Sequence, residues 1–220
     1  MTLPEYQGLS QRPRHSLSTN LPVVEESLAD GEVAALYAHF REHFGRQDVP
    51  GILKCFATHP PLLRHMMDIS DRLIFSDGHL GRRHKEMIAT LVSTQNRCAY
   101  CADSHGYFLR VHGGSDEVLC ALQRIDLDSP SLTERERALL RFVLKVNGDS
   151  AQISSTDIEQ LAIHGWSELQ ASEAIHVTAL FATFNRVVNA FGLPSQGLLA
   201  WYNDQAGVND QDTIKARSIR

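Results

Sequence analysis

Two cysteines three positions apart, Cys98 and Cys101, with His105 four positions further on, form the densest group of reactive side chains in this sequence. On a helix, steps of three and four return to one face. The stretch Cys98-Ala-Tyr-Cys101-Ala-Asp-Ser-His105 would then present two thiols and an imidazole along a single ridge. Two such thiols could close a disulfide, and the ring could move protons. A cysteine near a helix N-terminus has its thiolate favoured by the dipole and by unpaired backbone amides. With Asn96 as the predicted N-cap, both cysteines fall in the first turns. At 1.5 Å rise per residue, His105 stands roughly 6 Å along the axis from Cys101 and roughly 10 Å from Cys98. Cys101 is the thiol within reach of the imidazole, directly or through one water, so it is expected to attack and Cys98 to resolve. Glu86 lies upstream, with eleven residues between it and Cys98. If their helices run antiparallel through a short turn, its carboxylate can orient the His105 ring and complete a Glu–His–(water)–Cys relay.

The elements that must hold these groups all read as helices. Val33, Leu36, Tyr37, Phe40 and Phe44 recur at helical spacing from Gly31 to Phe44, and Gly45 closes that segment. Val49–His59 is a short helix carrying Cys55, and Pro60-Pro61 opens a helix whose broad apolar arc, Leu62 to Phe75, predicts burial. After Asp77-Gly78 come a helix over Leu80–Thr94 and the cysteine helix, which runs to about His112 and stops at Gly113-Gly114. Further helices start at Ser115, at the capping-box sequence Thr133-Glu134-Arg135-Glu136, at Ser154 and at a second capping box from Ser167. The long helix from Ser167 ends at Gly192 and Pro194. A last helical piece covers Gln196–Tyr202. No segment has the pattern of a strand, so the class is all-α: one multi-helix domain over 31–206, an extended arm over 1–30 and a polar tail over 207–220.

Sliding the chain against itself by 52 positions gives an ungapped match, with His112-Gly113-x-Ser115-Asp116 falling on His164-Gly165-x-Ser167-Glu168. A duplicated helical unit is expected on that ground, with an active unit over about 80–112 and a degenerate one over about 132–192. At this shift Glu86, Cys98, Cys101 and His105 become Ala138, Ser150, Ile153 and Asp157. His112 and His164 read as helix C-terminal residues rather than reactive ones.

The net charge of -5 does not suit a nucleic-acid backbone. No apolar run approaches a membrane span, and the first twenty residues lack the apolar block of a secretory signal. A cytoplasmic protein is expected. Four cysteines are too few for a disulfide scaffold, and in a reducing compartment a close pair reads as catalytic or metal-binding. A zinc half-site is the plain rival, but no second pair follows at ligand spacing. Covalent haem would need histidine where Ala102 stands, and thioredoxin-like chemistry would need a βαβ context. Cys55 and Cys120 read as buried hydrophobes, and Met66-Met67 as core. No cofactor or metal is expected.

Glu86, eleven residues, then Cys98-x-x-Cys101-x-x-x-His105 resembles the motif of the alkylhydroperoxidase D, or carboxymuconolactone decarboxylase, family. The flanks Leu91-Val92-Ser93, Asn96-Arg97-Cys98-Ala99-Tyr100-Cys101 and Ser104-His105-Gly106 resemble its peroxidase-related branch, as do Phe184-Asn185-Arg186 and Phe191-Gly192-Leu193-Pro194. The resemblance covers roughly residues 30–205. It implies an all-helical homo-oligomer, dimer to hexamer, that reduces hydroperoxides through a Cys98–Cys101 disulfide with electrons from a dithiol or protein reductant. It also implies Cys101 as the peroxidatic cysteine, Cys98 as the resolving one, and Glu86 and His105 as the proton relay. Tyr100 departs from the pattern, because the best-studied peroxidase members carry a second histidine there. The alternative of a different class is a non-catalytic helical oligomer that senses redox state or holds partners through the same thiol pair.

Overall fold

The stretch Arg82-Arg83-His84-Lys85-Glu86 is among the most densely charged in the sequence, yet it opens the most deeply buried helix of the fold. The computed structural model describes residues 19–205, and every regular element among them is helical. In chain order these are α1 (Gly31–Phe44), α2 (Gly51–Phe56), α3 (Pro60–Ser70) running into a π-helical turn (Asp71–Phe75), and α4 (Arg82–Gln95). Then follow α5 (Ala99–Val111), α6 (Asp116–Arg124), α7 (Glu134–Asp149), α8 (Ser155–Ile163), α9 (Glu168–Phe191) and a helical segment over 198–205. Every residue of α4 from Lys85 to Ser93 is buried, because α5, α6, α7 and α9 pack around it.

Burying charge on α4 is tolerable only because each charge is matched. Lys85 Nζ lies 2.8 Å from Glu173 Oε1 on α9 and donates to the Ser76 carbonyl at 2.8 Å. Glu173 Oε2 also accepts the Leu80 amide at 2.6 Å. Arg83 pairs with Glu136, the carboxylate that closes the capping box of α7. These pairs tie the loop before α4, the start of α7 and the start of α9 to one helix end.

The expectation of a repeated unit gains support from the helix boundaries. α4 and α7 begin at Arg82 and Glu134, α5 and α8 end at Val111 and Ile163, and α6 and α9 begin at Asp116 and Glu168, each pair 52 residues apart. Gly113 and Gly165 take the same left-handed conformation, with φ of 85° and 80°. His112 and His164 are the C-caps of α5 and α8, and the His164 ring bonds the Gln160 carbonyl at 2.8 Å. In the second stretch Asp157, opposite His105 in the alignment, accepts from Lys145 at 2.7 Å.

The structure corrects several local expectations. Asn96 is not the N-cap of the cysteine helix; it is the C-cap of α4, and Cys98 itself is the N-cap of α5. The segment over 62–75 is not largely buried: only Leu63 and Ile74 are, and Met66 and Met67 are half-buried. Its apolar face packs against the core and also lines a cavity, which leaves Met66, Met67 and Phe75 half-buried. Cys120 is half-buried rather than buried. Of the expected arm, residues 19–30 lie on their own chain, with Asn20 N–H bonded to the Phe191 carbonyl and Val24 N–H to that of Lys54. Residues 1–18 and the tail over 207–220 lie outside the described residues. Among the described residues no helix is long and apolar enough to cross a membrane.

Candidate active site

Two residues, Asn96 and Arg97, separate α4 from the cap of α5. The Cys98 amide reaches back to the Ser93 carbonyl at 2.8 Å and the Arg97 amide to Thr94 at 3.0 Å, the double bond pattern of a Schellman motif. The left-handed residue it requires is Arg97, at φ 53°, where glycine is usual. Cys98 is thus both the last residue of one helix stop and the N-cap of the next helix. The reversal sends α5 back along α4 and brings residue 105 beside residue 86.

There the Glu86 carboxylate, with no solvent exposure, accepts from His105 Nδ1 at 2.7 Å through Oε2 and from Arg82 Nε at 2.6 Å through Oε1. Burial alone would raise its pKa. The opposing pull of His105 and Arg82 outweighs that and holds the carboxyl below the usual range. An ionised carboxylate can only accept, so Nδ1 is the ring nitrogen that donates to it. The His105 ring is clamped edge-on by Phe181 of α9, at 4.5 Å between centroids and 84° between planes. The Arg82 guanidinium lies over Phe75, 4.8 Å from its centroid, and over Phe108 at 5.8 Å. A cation at the first position of a helix opposes the dipole; here the carboxylate one turn on and the aromatic faces hold it.

His105 and Cys101 line one cavity of about 110 Å³. Its far wall is apolar, with Met66, Met67, Ile74 and Phe75 from α3 and the π-helical turn, and Phe184 from α9. The π-helical turn displaces Ile74 and Phe75 from α-helical register, a device common beside functional sites. At the cysteine end the walls are polar: Tyr100, Ser104, Arg46 and Gln196. The segment after α9 covers this end. Gln196 donates to Ser104 Oγ at 2.7 Å, and the Asp103 carboxylate accepts the amides of Leu198 and Leu199 at 2.9 and 3.0 Å. No direct hydrogen bond joins Cys101 to His105 among the described residues, so a proton would pass between them through water or substrate.

The two sulfurs are free thiols in different settings. Cys98 is drawn below the ordinary thiol range, first by the Cys101 thiol, against the cost of burial, then by the Tyr100 and Cys101 amides and the Asn185 side chain. No short cap bond forms at Cys98, but those amides face its sulfur at the start of α5 and favour the thiolate. Cys101 is pushed up, first by its hydrogen bond with Cys98 and then by burial. Of the two thiols Cys98 is therefore the more readily ionised, while the sulfur that lines the cavity belongs to Cys101.

Asn185 of α9 is fully buried and fixed in orientation. Its oxygen accepts from Asn96 Nδ2 at 3.0 Å, which turns its own amide toward Ser93 Oγ, also at 3.0 Å, and toward the sulfurs. No role was read from the sequence for Arg82, and Asn185 stood out only within Phe184-Asn185-Arg186, where the resemblance assigned it no role. The four-residue step from Arg82 to Glu86 was a signal for the first; nothing in spacing pointed to the second. Among the described residues no group of three or more histidine, cysteine or acidic side chains could hold a metal ion, so the zinc reading finds no ligand set there.

Residues 60–145 match the model of the carboxymuconolactone decarboxylase family. Among solved structures the chain is similar to an alkylhydroperoxidase AhpD core, a peroxidase-related protein from Ralstonia eutropha, with 27% identity over 84% of this chain and 96% of that one and a TM-score of 0.73. A peroxidase-related protein from a Silicibacter species is 29% identical over 83% of this chain and 93% of that one, with a TM-score of 0.70. The debrominase Bmp8, crystallised as a cysteine-to-alanine variant in complex with 2,3,4-tribromopyrrole, shares the fold at 18% identity and a TM-score of 0.65, over 86% of this chain and 99% of that one. No curated protein matches the chain.

Proposed function

We propose that the chain, whose residues 60–145 match the carboxymuconolactone decarboxylase family model, is a thiol-dependent hydroperoxide reductase cycling between a dithiol and a Cys98–Cys101 disulfide. The observation that carries the reading is the buried Glu86–His105 pair, 2.7 Å apart, on the wall of the cavity that Cys101 lines. His105 Nε2 takes the Cys101 proton, through water or substrate, and the resulting thiolate attacks the terminal oxygen of the hydroperoxide. The O–O bond breaks, Cys101 is oxidised to a sulfenic acid, and the departing alkoxide takes up the proton and leaves as the alcohol. The Cys98 thiolate then attacks the sulfenic sulfur; hydroxide leaves and, with one proton, becomes water. A dithiol or protein reductant restores the pair.

Charge on Cys98 and access at Cys101 fit this order. The resolving thiol is the more readily ionised and is shielded, while the attacking thiol faces the substrate and is deprotonated on demand. The proposal includes assembly into homo-oligomers and a cytoplasmic setting. The test is peroxide consumption with a dithiol reductant. Wild type is expected to turn over and Cys101→Ser to be inactive; equal rates would overturn the reading. Cys98→Ser is expected to oxidise once, to a sulfenic acid, and to stop.

A further inference from the structure

Tyr100 stands between the two cysteines, 4% exposed, and lines the same cavity as Cys101 and His105. Its oxygen accepts the Ile52 amide at 3.3 Å. That amide belongs to the first turn of α2, where backbone N–H groups have no partner within the helix. The bond fixes the phenol from one side and uses its acceptor capacity. The hydroxyl hydrogen meets no acceptor among the described residues. A buried donor left unspent is costly, and such groups are kept where something else completes them. Burial pushes the phenol's pKa up, so the proton stays on it throughout the neutral range.

We propose that the Tyr100 hydroxyl is a further catalytic residue, the donor that receives the hydroperoxide in the cavity and stabilises the oxygen that leaves when Cys101 attacks. This rests on the peroxidase reading above. In that step the Cys101 thiolate forms a bond to the terminal peroxide oxygen, the O–O bond breaks, and the sulfur loses the two electrons the peroxide gains. The developing alkoxide accepts the Tyr100 hydrogen bond and departs as the alcohol with the proton that His105 took from the thiol. A donor pre-aimed at the site where charge develops costs no reorganisation during the reaction.

The experiment compares wild type and Tyr100→Phe in single-turnover oxidation by an organic hydroperoxide, beside alkylation of the same thiols by iodoacetamide. Alkylation expels iodide, which needs no such donor. Oxidation by peroxide is expected to slow by about 100-fold in Tyr100→Phe while alkylation and its pH profile stay within about twofold. Equal peroxide rates would overturn the assignment, and so would equal slowing of both reactions, which would mean that the hydroxyl only shapes the thiols. A wild type that reacts with iodoacetamide but with no hydroperoxide would sink the peroxidase reading itself. If loss of the hydroxyl prevents folding, difluorotyrosine at position 100 keeps the oxygen that the Ile52 amide needs and makes a stronger donor. Peroxide oxidation is then expected to rise about threefold with alkylation unchanged, and no rise would count against the proposal.

Discussion

Glu86 Oε2 and His105 Nδ1 are joined at 2.7 Å in a place where the carboxylate has no contact with solvent. Replacing the acid by its amide, Glu86→Gln, keeps the size but removes the group that compels Nδ1 to hold the hydrogen. Peroxide oxidation is expected to fall by about 100-fold or more. Folding stability is expected to fall by about 2–3 kcal/mol, because the buried Arg82 guanidinium loses its anion. Stopped-flow oxidation and urea unfolding measure the two effects separately.

The same carboxylate, with Glu136 and Glu173, governs behaviour in acid. All three are held below the ordinary carboxylate range: burial opposes ionisation, but hydrogen bonds and ion pairs with His105 and Arg82, with Arg83, and with Lys85 win. A group whose folded value is depressed contributes stability that is present above the unfolded value, about 4.3 for glutamate, and lost as pH falls through the folded one. Urea midpoints are therefore expected to be flat for these groups from about pH 7 to 5 and to drop steeply below about pH 4. A flat profile down to about pH 3 would contradict the ion-pair assignments.

Asn185 supplies the thiolate with a fixed donor from α9. Asn185→Leu is expected to raise the pKa of the Cys98 thiol, read as thiolate absorbance against pH, and to slow resolution of the sulfenic acid more than its formation. Cys98→Ser should abolish the low titration, because the depressed thiol is Cys98 and not Cys101.

Gly78 lies against Glu173, and a Cβ there would meet Oε1 at 2.1 Å. That carboxylate cannot swing away cheaply, since Lys85 and the Leu80 amide hold it. Gly78→Ala is expected to destabilise the fold by about 2 kcal/mol, measured by urea unfolding.

Arg97 shows the opposite case. Its left-handed backbone costs a non-glycine residue roughly 1 kcal/mol. Arg97→Gly should relieve that and raise stability by up to about 1 kcal/mol, less the entropy that glycine adds to the unfolded chain.

Much of this arrangement was legible before any coordinates. The spacing of Glu86, Cys98, Cys101 and His105 predicted their convergence, because helical steps and a short turn leave few other places for those side chains. The capping boxes at Thr133 and Ser167 gave the starts of α7 and α9. What failed were junctions. A two-residue turn with arginine in the left-handed seat carries none of the glycine signal that marks such stops, so Asn96 was read as opening α5 when it closes α4. Met66 and Met67 do pack against the core, but apolar periodicity could not tell that the same face also lines a cavity. The role of Asn185 was not legible for a deeper reason. Its effect depends on a buried amide being turned the right way by Asn96, a neighbour 89 positions distant in sequence.

Position 185 also divides labour between the two halves of the chain. The half around α4 and α5 owns every atom that would react, yet the ring that steadies the imidazole and the amide that feeds the sulfur come from Phe181 and Asn185. The half without thiols is therefore not free to drift. It serves as the jig in which the other half's tools are set, and a change on α9 blunts the chemistry without touching a reacting group.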